Sequence, residues 1–287
     1  MAVTEAVPDP AAPTPRSGKP VPAGRWRAVA LPPEHGSWGL VGEPVVLGLL
    51  VAASWPGLLI ALGAVAGFLA YRPAKIAFGD LRRAKHYPRT VLALRFAAGF
   101  GVAAGLALIA AFALAGPAWV LPFALAAPFG TVFVGYDLRP GRSWLAEVTA
   151  PVAFASTSAA IALAAGGSPP AALALWAVMA GRALPSVLYV RARLHLERGE
   201  PVARGPAVAA HAAAVALAAC LAAAGWLPWL AVLAVLLLLA RSAFGLSRWR
   251  RRATARAVGF GELAWGAVTV LLVAAGYWIG GMGGIGR

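Results

Sequence analysis

Arg182, Ser186, Tyr189 and Arg193 recur at i, i+4, i+7 and i+11 of an otherwise apolar run, so on a helix they share one face. Guanidinium groups on a dry wall suit a phosphate or carboxylate, which they grip through paired N–H donors. Pro185 sits beside the stripe as a candidate kink. Further ionisable residues interrupt apolar runs: Glu43, Arg95, Glu147, Arg241 and Glu262, with His211 as a titratable neighbour. A charge within a membrane-spanning helix is costly and usually faces the bundle interior or a wet cavity. Glu43 and Arg182 are each about eight residues, or ~12 Å, from the end of their segment, too deep for loop charges. Arg95, Glu147, Arg241 and Glu262 lie within about two turns of an end and are predicted to stretch to the interface. The stripe therefore predicts Arg182 facing inward near Glu43 or Glu147, lining an anion site with Tyr189 and Arg193. The competing reading is an ion pair that only locks helices together, and for Arg191 and Arg193 an ordinary basic helix end.

The elements that must position these side chains follow from composition. The 287 residues are 61% hydrophobic and 12% charged, with a mean hydropathy of +0.76, well outside the balance of a soluble domain. The fold class is all-α, a polytopic transmembrane helix bundle. A hydrocarbon core of roughly 30 Å needs about 20 apolar residues per helix. Cutting at Pro/Gly turns and Arg/Lys clusters gives nine predicted spans: 36–53, 57–71, 91–114, 119–136, 144–165, 171–190, 207–224, 228–246 and 258–280. Of 25 Lys and Arg residues, 21 fall in the N-terminal segment or in the breaks 72–90, 137–143, 191–206 and 247–257. The alternate breaks, such as Trp55-Pro56-Gly57 and Gly166–Pro170, carry none, so the basic side is predicted to be cytoplasmic and the C-terminus outside. Residues 1–33, rich in Pro and Ala and without periodicity, read as a disordered cytoplasmic tail; 34–282 form the helical domain and 283–287 a short end.

The same sequence narrows the function classes. The net charge of +15 is spread between apolar stretches rather than on a separate basic domain, which argues against nucleic acid. A single Cys220 excludes an intramolecular disulfide, and the four His residues lack metal-ligand spacing. The N-terminus has no apolar core before a small-residue cleavage site, so it does not read as a signal peptide. No nucleophile–base pair or phosphate loop stands out, and no cofactor can be named.

Pro32-Pro33-Glu34-His35-Gly36-Ser37-Trp38 opens the first span, followed by Glu43-Pro44 and Gly48. Proline starts helices well, Glu34 sits favourably at the positive end of the helix dipole, and Trp38 suits the interface. His35 is either a proton carrier or an interfacial residue. This stretch resembles the YwiC-like family of bacterial membrane proteins, whose hallmark is an E-H-G-x-W segment before the first helix, with a proline and a glycine further on. Glu34, His35, Gly36, Trp38, Pro44 and Gly48 match it. The resemblance implies a multi-pass protein of the bacterial inner membrane and no particular reaction.

A second resemblance is architectural. Nine spans with charged loops after the second and sixth look like the UbiA superfamily of intramembrane prenyltransferases, which hold Mg²⁺-diphosphate on Asp-rich motifs there. Gly199 fits the glycine of the second motif, but its aspartate places fall on Arg191 and His195, and near the first motif only Asp80 is acidic. Magnesium then lacks a carboxylate cage, and arginines would have to hold an anion directly. Asp80, Tyr136, Arg142, Glu147, Arg191 and His195 are secondary site candidates beside Glu34, His35, Glu43, Arg182, Tyr189 and Arg193. Three readings follow: a protein of UbiA-like architecture with altered or absent transferase chemistry, binding a membrane lipid, with an isoprenoid or phosphorylated lipid as ligand; a small-solute transporter; or a non-enzymatic membrane factor.

Overall fold

A computed structural model describes residues 25–31, 35–139, 141 and 143–280, with the side chains of 25 and 35–37 left aside. Among the described residues there are ten helices and no strand: α1 (Arg25–Ala30), α2 (His35–Val51), α3 (Trp55–Arg82), α4 (Pro88–Ala115), α5 (Val120–Asp137), α6 (Trp144–Ala164), α7 (Pro169–Glu197), α8 (Gly205–Ala223), α9 (Trp229–Gly245) and α10 (Ala255–Ile279). Seven of them, α3 to α8 and α10, are long and apolar enough to cross a membrane. The chain is a polytopic helical membrane protein. Helices α2 and α9 are apolar but have 17 residues each, which at about 1.5 Å per residue falls short of a full ~30 Å core. Each of the nine predicted spans coincides with one of α2 to α10.

Two stretches predicted as loops are largely helical. Helix α3 continues through Pro73 to Arg82, and α7 through Arg193 to Glu197. Basic residues are good helix formers, so charge alone does not end a helix; a residue able to turn the chain does. At α7 that residue is Gly199, at φ +76°. The amides of Gly199 and Glu200 return to the carbonyls of Leu196 and His195, at 3.2 and 3.0 Å, which closes the helix in a Schellman motif. The position that resembles a prenyltransferase glycine is thus accounted for by the helix end.

The boundary of the N-terminal tail also moves. Residues 25–30, placed in a disordered tail by composition, form α1. Its Val29 is buried with Ala77 of α3 and Ala93 of α4 in one apolar cluster, and Ala30 is buried as well. Arg72 of α3 donates to the Ala28 carbonyl from Nε and Nη2, at 3.0 and 2.8 Å, and so closes the C-terminal end of α1. Residues 1–24 and 281–287 lie outside the described residues.

Packing sets the centre of the molecule. Helix α2 packs on α6, α6 on α7, α7 on α8, α8 on α9, α9 on α10, and α10 back on α2, which closes a ring. Helix α7 also touches α2, α9 and α10 across that ring. The α3–α4 hairpin lies outside: only 6% of the most apolar window of α4 is buried, against 61% for α6, so α4 presents its sides to lipid. Small residues permit the close crossings. A Cβ on Gly48 would meet Ile161 at 3.0 Å, and one on Gly63 would meet Leu108 at 2.7 Å. Buried hydroxyls of α6 are satisfied locally, Ser156 by the Ala153 carbonyl at 2.6 Å and Ser158 by that of Ala155 at 2.8 Å.

Candidate functional site

The polar face of α7 points across the ring, and four helices bring charge to it. Arg182 is 3% exposed. Its Nη2 lies 3.2 Å from Glu43 Oε1 on α2 and donates to the Glu262 backbone carbonyl on α10 at 2.8 Å. Its Nη1 reaches Ser186 Oγ at 2.5 Å and Glu262 Oε2 at 3.3 Å. The other oxygen of Glu262 pairs with Arg241 Nη1 from α9. Arg241 in turn lies over the Tyr189 ring, 4.1 Å from its centroid. Two arginines and two glutamates therefore form one buried, formally neutral network. Three of its guanidinium nitrogens, Arg182 Nε and Arg241 Nε and Nη2, are buried without a hydrogen-bond partner among the described residues.

Glycines make room for this network. A Cβ on Gly266 of α10 would lie 1.8 Å from Glu43 Oε1 and 3.1 Å from Arg182 Nη2. A Cβ on Gly245 of α9 would lie 2.4 Å from the Tyr189 hydroxyl. The carboxylate of Glu43 and the phenol of Tyr189 thus occupy space that any other residue would fill.

Glu43 also has a second exposure. It belongs to the wall of a groove of about 290 Å³ between α2 and α10, with Trp38, Gly42, Val46, Leu263 and Val270 among its otherwise apolar lining. Trp38 and Val46 are exposed on the outer surface of the bundle. Glu43 therefore belongs both to the ion-pair network and to the wall of a groove that opens on the outer surface of the bundle.

The predicted residues divide accordingly. Glu43, Arg182 and Tyr189 come together in the network. Glu147 does not join them; it pairs with Arg191 at 2.5 Å between α6 and α7. Arg193, read as an exposed basic helix end or an anion ligand, is 4% exposed and donates to the carbonyls of Gly245 and Arg251. It also pairs with Glu197 at 2.8 Å, so its donors hold the C-terminal end of α9 and the following loop. Asp80 accepts from Arg89 at 3.1 and 2.8 Å and from Thr90 at 2.8 Å, which ties α3 to the start of α4. His195 pairs with Glu200, and Tyr136 lies under the Arg139 guanidinium at 4.7 Å. His35 heads α2; its side chain, with Glu34 and Arg142, lies outside the described residues.

Arg241 and Glu262 are corrections. Predicted to stretch to the interface, they are 9% and 18% exposed in their side chains and turn inward. Each finds an oppositely charged partner in the bundle, which removes the cost that drives a lone charge toward water. The signal was present as charge within an apolar run; the pairing across 21 residues was not. His211 is also interior, 1% exposed. Its Nδ1 lies 2.8 Å from the Ala207 carbonyl, which makes that nitrogen the donor and leaves Nε2 as a buried acceptor without a partner among the described residues. The residues present do not fit a magnesium-diphosphate centre. Asp80 is taken up by Arg89 and Thr90, and among the described residues no three His, Cys, Asp or Glu side chains come together as a metal site.

The family model described as YwiC-like protein matches residues 31–162. Over this stretch the chain is similar to the YwiC-like family. No curated protein and no solved structure matches the chain. The YwiC-like stretch begins just before the Glu34–Trp38 motif and ends within α6, so it contains Glu43 and most of the groove wall on α2. Arg182, Arg241 and Glu262 all lie beyond it.

Proposed function

We propose that this YwiC-like protein binds the phosphate headgroup of a membrane lipid or isoprenoid in the bundle, against Arg182 and Arg241, and admits it sideways through the α2–α10 groove. In this reading the basic loops and the N-terminus face the cytoplasm of a bacterial inner membrane, and the headgroup sits in the cytoplasmic half. The observation that carries the proposal is the double position of Glu43, at once a wall of the lipid-facing groove and the ion-pair partner of a buried arginine. A purely structural pair needs no groove, and a lipid tail alone needs no arginine. The unpartnered guanidinium nitrogens favour a ligand with several acceptor oxygens, which phosphate has.

The experiment is mass spectrometry of lipids co-purified with the protein in mild detergent, normalised to folded molecules. The wild type is expected to retain a phosphorylated lipid, and Arg182→Lys to stay folded and lose most of it, because the planar fork is gone. Delipidated protein stabilised by inorganic phosphate, with no lipid retained at purification, would assign the site to a soluble anion instead. No bound phosphorus and no stabilisation by phosphate would refute the proposal.

A further inference from the structure

We infer that Glu43 is the site's own stand-in anion, and that it gives up Arg182 by taking a proton from the cytoplasmic water when a phosphate arrives. The inference rests on the phosphate-site reading above and assigns that site its regulation. Of the two acids in the network, Glu43 is the more loosely held. Glu262 engages Arg241 and Arg182 with its side chain and Arg182 again with its carbonyl. Glu43 has one ion-pair contact, at 3.2 Å, and its Oε2 makes no hydrogen bond among the described residues. It is also the acid that lines the groove, so it stands between an incoming headgroup and the guanidinium.

Charge balance supplies the coupling. The network is neutral as it stands, with Arg182 and Arg241 against Glu43 and Glu262. A phosphodiester adds one negative charge to a dry interior, where an uncompensated charge is strongly disfavoured. The groove offers the displaced carboxylate an apolar wall rather than a second cation. Protonation of Glu43 restores neutrality: one proton goes from water to its carboxylate, and the phosphate oxygens take its place on Arg182. The charged groups that face Glu43 are Arg182 from α7 and Glu262 from α10. Arg241 of α9 acts through Glu262, and His211 of α8 lies within electrostatic reach of both arginines. Helices α3 and α6, which also pack on α2, bring no charged side chain within ion-pair distance of Glu43 among the described residues.

The test is calorimetric titration of dihexanoyl-phosphatidylglycerol, whose single charge is fixed near neutrality, into the delipidated full chain. Running it in two buffers of different ionisation enthalpy counts the protons taken up. The wild type is expected to take up about one proton per lipid at neutral pH, and its affinity to fall about tenfold per pH unit on the alkaline side. Glu43→Gln is expected to take up none, to bind on the order of tenfold more tightly at neutral pH and to lose the pH dependence. Should Glu43→Gln fail to fold, the wild-type pH series alone decides, because pH-independent affinity overturns the inference. Binding with the same proton count in Glu43→Gln as in wild type overturns the inference and leaves the phosphate site standing. No saturable binding by either protein overturns both.

Discussion

Gly266→Ala is the sharpest probe of the network, because it acts on Glu43 without replacing a charged residue. The new Cβ would lie 1.8 Å from Oε1 and 2.3 Å from Cδ of Glu43, so the carboxylate must leave. The side chain is long enough to swing into the groove, so the steric cost is small and the main loss is its contact with Arg182. Stripping a buried charge of its partner costs about 3–5 kcal/mol. Arg182 keeps Glu262 at 3.3 Å, the Glu262 carbonyl at 2.8 Å and Ser186 at 2.5 Å, so the lower part of that range is expected. Alanine in a helix returns about 1 kcal/mol relative to glycine. The net expectation is a loss of about 2 kcal/mol. Equilibrium unfolding in detergent would be measured for wild type, Gly266→Ala, Glu43→Ala and the double variant. With Glu43 shortened only the 3.1 Å approach to Arg182 Nη2 remains, which a small shift of the guanidinium relieves, so Gly266→Ala should lose most of its cost or become stabilising by up to about 1 kcal/mol. An equal cost in both backgrounds would show that Gly266 is needed for helix packing alone, and would refute the account of Glu43.

Arg193→Ala should destabilise by about 3 kcal/mol, because the Gly245 carbonyl at the end of α9, the Arg251 carbonyl in the following loop and the Glu197 carboxylate lose a buried cationic donor; detergent unfolding reads it, and a change below about 1 kcal/mol would place Arg193 outside the bundle. Deleting residues 1–31 should cost about 2 kcal/mol, the burial of Val29 and Ala30 plus the Arg72 bond to Ala28, and an unchanged unfolding midpoint would show that α1 does not dock. For orientation, Ser168→Cys in a Cys220→Ala background should react with an impermeant maleimide added outside spheroplasts, while Lys85→Cys should not; the reverse pattern would invert the topology.

What the sequence makes legible is whatever a single segment decides by itself. Nine apolar runs, separated by turns, coincide with α2 to α10 among the described residues, seven of them long and apolar enough to cross a membrane, because a chain in lipid must satisfy its backbone within each segment. Even the alanine-rich run around His211 forms α8. The common face of Arg182, Ser186, Tyr189 and Arg193 follows from helical periodicity, and all four are buried. What stays illegible is the partner. Glu147 and Glu262 are equally acidic and similarly close to a helix end, yet one pairs with Arg191 and the other with Arg182 and Arg241. That choice depends on which helices become neighbours in the ring, which no local pattern encodes. Helix ends near charged loops are hidden for a related reason: lysine and arginine pattern as solvated loop, while the backbone of α7 continues until Gly199 can turn it.

The placement of the family match adds a constraint on mechanism. Within residues 31–162 lie Glu43 and the α2 side of the groove; its ion-pair partner Arg182, and the Glu262 and Arg241 that complete the network, are contributed by α7, α10 and α9. The α2 motif thus cannot act alone, since Glu43 without Arg182 would be an unpaired carboxylate in the bundle. Nor can the later helices, since Arg182 without Glu43 would leave two arginines facing a single glutamate. The least costly state of each half requires the other, and the ion pair that links Glu43 to the later helices, 3.2 Å to Arg182, is made by the same carboxylate that lines the groove. A ligand that replaces this contact therefore acts on the junction between the two halves, where a small change in charge can alter how α2 packs on α7 and α10.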